Sequence, residues 1–266
     1  MSDDQKFAIL HPTERCWAVA AVHGEAARLR ELHGRLGQRF RPGDNLIYLG
    51  NVLGRGAHIA ETVDEALSFR RSVLARPGVF ADDIHFLRGA QEEMWHKLLQ
   101  IQFARNPAEI LRWMSDQGIG ATLAAYGGRI EDGLDAGMQG AVALTAWTSR
   151  LRAAMRGRQG HNAFMSALRR AAFTADDTLL FVHAGIDPDR PLSEQADSFW
   201  WGGYDFERAD FRYGSFRRVV RGFDSRNRGV EIGSVTATID GGCGQGGPLV
   251  AACFGAGGEV LEMIEA

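Results

Sequence analysis

The chain has 266 residues, a formal net charge of -3 at pH 7 and 24% charged residues, enough length for one α/β core with insertions. That balance leaves no basic field for nucleic acid, and no run approaches the ~18 apolar residues of a membrane span, so neither partner is expected. The opening Met1-Ser2-Asp3-Asp4-Gln5-Lys6 lacks a charged-then-apolar leader pattern, and Cys16, Cys243 and Cys253 show no paired spacing, so a cytoplasmic protein with buried free thiols is expected.

In chain order, short apolar and β-branched runs predict strands over 16–21, 46–50, 84–88, 179–183, 218–222, 234–240, 249–254 and 259–264. Leu29, Leu32 and Leu36 share one helical face, and Val63, Ala66, Leu67 and Leu74 share another. The stretch over about 92–173 reads as mostly helical, through Trp95, Leu98, Ile110, Leu111, Met114, Phe164 and Leu168. It forms an expected cap between two strands of a single domain spanning 1–266. The turn Gly255-Ala256-Gly257-Gly258 suits a closing hairpin. The glycine run over 240–248 lacks the strand-then-helix setting of a phosphate-cradling loop.

Five segments carry the chemistry. They are Val22-His23-Gly24, Gly50-Asn51-Val52-Leu53-Gly54-Arg55-Gly56, Arg88-Gly89-Ala90-Gln91-Glu92, Phe181-Val182-His183-Ala184-Gly185 and Val219-Val220-Arg221-Gly222-Phe223. In that order and spacing they resemble the calcineurin-like metallophosphoesterases, in the bacterial branch of Ser/Thr protein phosphatases and dinucleoside tetraphosphatases. Gly120-Ala121-Thr122-Leu123 and Pro191-Leu192-Ser193-Glu194-Gln195 with Phe199-Trp200-Trp201 add to the likeness.

The resemblance implies a four-layer α/β/β/α sandwich with a helical cap, and two divalent metals at the strand ends that clamp a phosphate while a metal-activated water attacks. Carried over by position, the six ligands fall at Ala21, His23, Asn51, Ala90, His183 and Phe223, so only His23 and His183 are retained unchanged. The implied catalytic histidine falls at Gln91 and its orienting aspartate at Gly54. A glutamine does not titrate, so general acid catalysis, worth about 10²–10⁴-fold, is absent at that position. Arg55 matches the family's phosphate contact, whereas an arginine normally found after the tryptophan is missing from Trp201-Gly202-Gly203.

Two readings of the residues stay open at this point. His23, Asn51 and His183 form a residual site for a single divalent metal, Mn or Zn, or they are leftover hydrogen-bonded groups with no cofactor at all. Arg55 and Arg221 form a metal-free anion site with Asn51, or they are ordinary arginines in a chain whose 30 basic residues include only two lysines, Lys6 and Lys97. Trp200 and Trp201 line a groove or pack in a core, and core packing is favoured; Cys243 is expected to be structural.

The leading expectation is a degenerate metallophosphoesterase, a pseudophosphatase that binds an anionic small molecule, a phosphoprotein or another protein partner without metal-dependent hydrolysis. The alternative is an active phosphoesterase, a Ser/Thr protein phosphatase or dinucleoside polyphosphate hydrolase, with a reduced metal site and Glu92 as base. A third class is a structural subunit that docks through its cap helices.

Overall fold

The computed structural model describes residues 6–202, 206 and 213–266. Two sheets face each other. One has the order β1-β5-β6-β7-β9-β8, built from β1 (Phe7–Leu10), β5 (Ala171–Thr174), β6 (Leu179–Val182), β7 (Arg218–Arg221), β9 (Thr236–Thr238) and β8 (Glu231–Ile232). The other has the order β11-β10-β2-β3-β4, from β11 (Val260–Glu265), β10 (Val250–Gly255), β2 (Arg15–Val19), β3 (Asn45–Tyr48) and β4 (Ile84–Phe86). β2, β3 and β4 run parallel, as do β6, β7 and β9, while β10 pairs antiparallel with β2 and β11.

The central strands are buried on both faces, and the period of two decides which core each residue enters. On β2, Trp17 and Val19 point to the helical side while Cys16 and Ala18 point between the sheets. On β6, Leu179 and Phe181 enter the inter-sheet core and Leu180 and Val182 the opposite face. Between the sheets, Ala8, Ala18, Ala20, Ala172, Ala237 and Ala252 are buried among larger leucine, isoleucine, valine and phenylalanine side chains.

Helices cover the outer faces. α1 (Ala26–Gly37) buries Leu29, Leu32 and Leu36, and α2 (Ile59–Leu74) buries Ile59, Val63, Ala66 and Val73 against the five-stranded sheet. The short α9 (Ser198–Trp201) lays Phe199 and Trp200 on the six-stranded sheet. The expected four-layer α/β/β/α arrangement is therefore the observed one.

The cap comprises α3 (Ala90–Leu98), α4 (Pro107–Asp116), α5 (Ile119–Ala125), α6 (Ile130–Gln139), α7 (Ala141–Arg156) and α8 (His161–Ala167). Its C-terminal boundary corrects the sequence expectation, because 171–174 is strand β5, paired with β1 and β6, and not the end of a helical stretch. β1, β5 and β8 were not expected from the sequence. Each is four residues or shorter, and β5 lies inside the stretch that reads as helical. No described helix is long and apolar enough to cross a membrane.

The two sheets meet at the C-terminal ends of their parallel strands. The Ala21 amide donates to Gly222 O at 3.0 Å, and a Cβ on Gly222 would lie 2.4 Å from Leu49 Cβ. All five sequence segments converge on this junction.

Candidate functional site

The frame is built by turns that leave β2 and β3 in the left-handed region. His23 has φ 55 and Asn51 φ 50, each beside a glycine, Gly24 at φ 79 and Gly50 at φ 89. Asparagine and histidine enter this region more readily than most side chains, and such strained residues persist only where surrounding bonds fix them. Here the fixing group is Glu92 in the first turn of α3. Its fully buried carboxylate accepts the amides of Asn51 (2.9 Å), Leu53 (2.8 Å) and Gly89 (2.8 Å).

Burial raises the Glu92 pKa and the backbone donors oppose that rise. The carboxylate is spent on three amides, which corrects its expected role as a base facing a substrate. Close approach also explains Gly50, where a Cβ would sit 2.6 Å from the Gly89 backbone and 2.9 Å from His183 Nδ1.

The two imidazoles are buried and neutral. His183 Nδ1 donates to Leu49 O at 2.7 Å, which leaves Nε2 as a buried lone pair without a partner among the described residues. Asn51 Oδ1 accepts the Gln91 amide at 2.9 Å, so its amide nitrogen is the group 3.4 Å from His23 Nε2. The proton of His23 therefore belongs on Nδ1, which is also buried and unpartnered among the described residues. Desolvation lowers the His23 pKa to about 3, with His183 and Arg55 adding to the shift, and desolvation lowers that of His183 to about 4.

Phe223 lies against both rings. It stacks on His183 with centroids 5.2 Å apart and planes 4° apart, and meets His23 at 5.5 Å and 63°. Gly54 stands on the other side of His23, and a Cβ there would come within 2.4 Å of Nδ1. Gly244, from the glycine run, closes the remaining side with a Cβ position 2.4 Å from His23 Cβ.

These groups open into a cleft of about 190 Å³ lined by His23, Asn51, Arg55, Gln91, Trp201 and Phe223, with Ala90, Gln117, Ser225 and Gln245 completing it. Arg55 is exposed and lies over the turn between α4 and α5, where a Cβ on Gly118 would be 2.8 Å from its Cγ. Gln91 is 3% exposed, donates through Nε2 to Gln117 O at 2.8 Å, and has Oε1 buried without a partner among the described residues.

Arg221 is not part of this wall. Its guanidinium bonds Thr238 Oγ1 at 2.8 Å, pairs with Asp224 at 3.4 Å and lies 4.5 Å from the Phe206 ring centre. The expected pairing of Arg55 with Arg221 is thus replaced by Arg55 alone. Trp200 packs in the core as expected, whereas Trp201 borders the cleft and meets Trp113 edge-on at 5.2 Å. Gly203 lies outside the described residues. Cys243 is structural, its thiol donating to Val22 O at 3.2 Å and its pKa pushed up to about 12 by burial.

Gln117 and Gln245 escaped the sequence reading because the cap and the glycine run bring them to the cleft, and Ser225 because it lies just past the end of the fifth segment.

The metals implied by the sequence resemblance do not fit these donors. Hard divalent cations require charged oxygens, and among the described residues no carboxylate lines the cleft. The Asn51 oxygen is engaged by the Gln91 amide, and Asp224 is held by Arg221 and Arg228. Among the described residues no cluster of three or more His, Cys, Asp or Glu side chains is placed to hold an ion.

No protein-family model and no curated protein sequence matches the chain. Solved structures do match its fold. A crystal structure of "a putative diadenosine tetraphosphatase" superposes with a TM-score of 0.58 at 18% identity, covering 97% of this chain and 98% of that one. A cold-active protein tyrosine phosphatase superposes at 0.54 with 11% identity over 98% and 83% of the two chains, and a point mutant of a cold-active protein tyrosine phosphatase at 0.51 with 14% identity over 98% and 85%. The chain shares the fold of these solved structures over nearly its whole length.

Proposed function

We propose that this protein is a pseudophosphatase, which binds an anionic or phosphorylated ligand in the cleft through Arg55 and does not hydrolyse it by a two-metal mechanism. The observation that carries this reading is Phe223 packed against both retained imidazoles in a cleft whose described lining holds no carboxylate. A metal-activated water needs a cation with open coordination positions, and here an aromatic ring adjoins the two nitrogen donors.

What remains is suited to binding. Among the described residues Arg55 carries the one formal charge on the cleft wall, because burial holds His23 neutral. Asn51, Gln91, Gln117 and Gln245 supply carboxamide donors and acceptors, and Trp201 with Phe223 supplies flat apolar surface. A guanidinium fork beside carboxamides recognises an acid group without catalysing its transfer.

The test joins metal content to turnover. After equilibrium dialysis against excess Mn²⁺ at neutral pH, elemental analysis is expected to find close to no metal per chain, with no hydrolysis of p-nitrophenyl phosphate, and Ala21→Asp alone is expected to change neither. About two metals per wild-type chain, or turnover lost in His183→Ala, would overturn the proposal. Binding is read separately, as a rise in melting temperature with phenyl phosphate that disappears in Arg55→Ala.

A further inference from the structure

A second cavity, of about 330 Å³, lies between the C-terminal half of α2, the edge strand β4 and α8, and it shares no lining residue with the cleft. Its apolar wall is made by Leu67, Phe86 and Phe164, and its basic wall by Arg70, Arg71 and Arg169. Phe86 and Phe164 are buried at 7% and 4% exposure and meet edge to face at 5.2 Å, so two aromatic rings are fixed at the cavity wall. The volume falls within the ~300–1,000 Å³ of small-molecule sites.

Basic residues outnumber acids on the wall. Among the described residues Asp82 is the only acid on the wall, against three arginines. Burial lowers the His85 pKa, and the hydrogen bond its Nε2 donates to Asp82 O at 2.8 Å opposes that shift. The acids preceding the arginines on α2 face elsewhere, Asp64 to His161 at 3.0 Å and Glu65 to His33 at 2.8 Å. Among the described residues neither Arg70 nor Arg71 makes an ion pair or a hydrogen bond through its side chain.

A basic residue near a helix C-terminus is favoured by the helix dipole, which accounts for Arg71 on α2. It does not account for Arg169, which arrives from a different segment. Arg169 is held there by its own backbone, whose amide donates to Phe86 O at 2.9 Å and whose carbonyl accepts the Arg88 amide at 2.7 Å.

We propose that this cavity is a binding site for a small aromatic acid, whose ring lies on Phe86, Phe164 and Leu67 and whose carboxylate or phosphate is taken by Arg70 and Arg71. The apolar wall supplies contact area and the guanidinium forks supply orientation, since planar acid groups match them in bidentate fashion.

The experiment is isothermal titration of the full chain with 2-naphthoate and with 2-naphthyl phosphate at low salt, using 2-naphthalenemethanol as the neutral analogue. At least one acid is expected to bind at a single site with Kd on the order of 100 μM. The neutral analogue and the Arg70→Ala, Arg71→Ala double variant are each expected to bind at least tenfold more weakly. Arg70→Lys, Arg71→Lys should recover part of the loss, and Arg55→Ala should leave naphthoate binding unchanged.

Neither arginine is in a core, and an unchanged melting temperature checks that the double variant is folded. Failure of both acids to bind at millimolar concentration, equal binding of the neutral analogue, or binding lost in Arg55→Ala but not in the double variant would overturn the site. The last outcome would assign the acid to the cleft, so the two sites fail separately.

Discussion

His23 and His183 give up protonation when the chain folds. Their folded pKa values, about 3 and about 4, lie below the ~6.5 of a solvated histidine. The unfolded chain therefore takes up protons first as pH falls, and stability present above pH ~6.5 is lost progressively down to the folded values. At pH 5.5 the loss is about 1.4 kcal/mol for each histidine, so the urea midpoint should fall steeply between pH 7 and 5. His183→Asn should flatten that slope, and an unchanged slope would place the proton uptake elsewhere. Phe223→Ala removes the ring that covers both imidazoles. Because Phe223 is only half-buried, a cost of roughly 2 kcal/mol is expected, less than the ~3–5 of a fully buried phenylalanine. Water reaching His183 should raise its pKa, as read by proton NMR titration.

At the level of elements, one carboxylate ties the β3–α2 turn to the start of α3. Replacing Glu92 by Ala leaves three buried amides without an acceptor, and at ~1–3 kcal/mol for each such group the melting transition should drop or vanish. Glu92→Gln should retain part of the stability. The cap acts on the cleft through Gly118, whose φ of +94 and closeness to Arg55 leave no room for a side chain. Gly118→Ala is expected to weaken phenyl phosphate binding several-fold while sparing the naphthoate site, measured by titration of both. Sequence reading located the turns that frame the cleft because glycines and histidines recur at fixed positions in the five segments. It could not locate Gln117 or Gln245, since their place depends on how the cap and the glycine run fold back. Nor could it see that Arg221 is taken by Asp224 and Thr238, or that Glu92 faces amides, because partner choice is a matter of tertiary distance.

Across the whole molecule, the inter-sheet core sets how closely the two halves approach. Within it Ala18 and Ala252 are paired across β2 and β10, and both are fully buried. Ala252→Leu is expected to cost about 1–3 kcal/mol by overpacking, seen as a lower denaturant midpoint with an unchanged slope. The layer order was legible only through the resemblance carried by the five segments, whereas the apolar runs and amphipathic helices indicated individual strands and helices. β1 and β5 were not legible: β5 lies inside the stretch that reads as helical, and β1 is the edge strand that pairs with it. Their omission carried the cap boundary too far, to 173 in place of 167.

The ring of His23 occupies the volume that any side chain at position 54 would need. An acid introduced there by a single substitution meets an imidazole 2.4 Å from its Cβ before it can orient anything. Mutational order then matters. The route to an acid at 54 passes first through a change that turns or shrinks residue 23, and Gly244 blocks one direction of that turn. The packing works as a lock of small parts: placing an acid at 54 needs coordinated changes in the three loops that carry residues 23, 54 and 244, where any one change alone meets a neighbour.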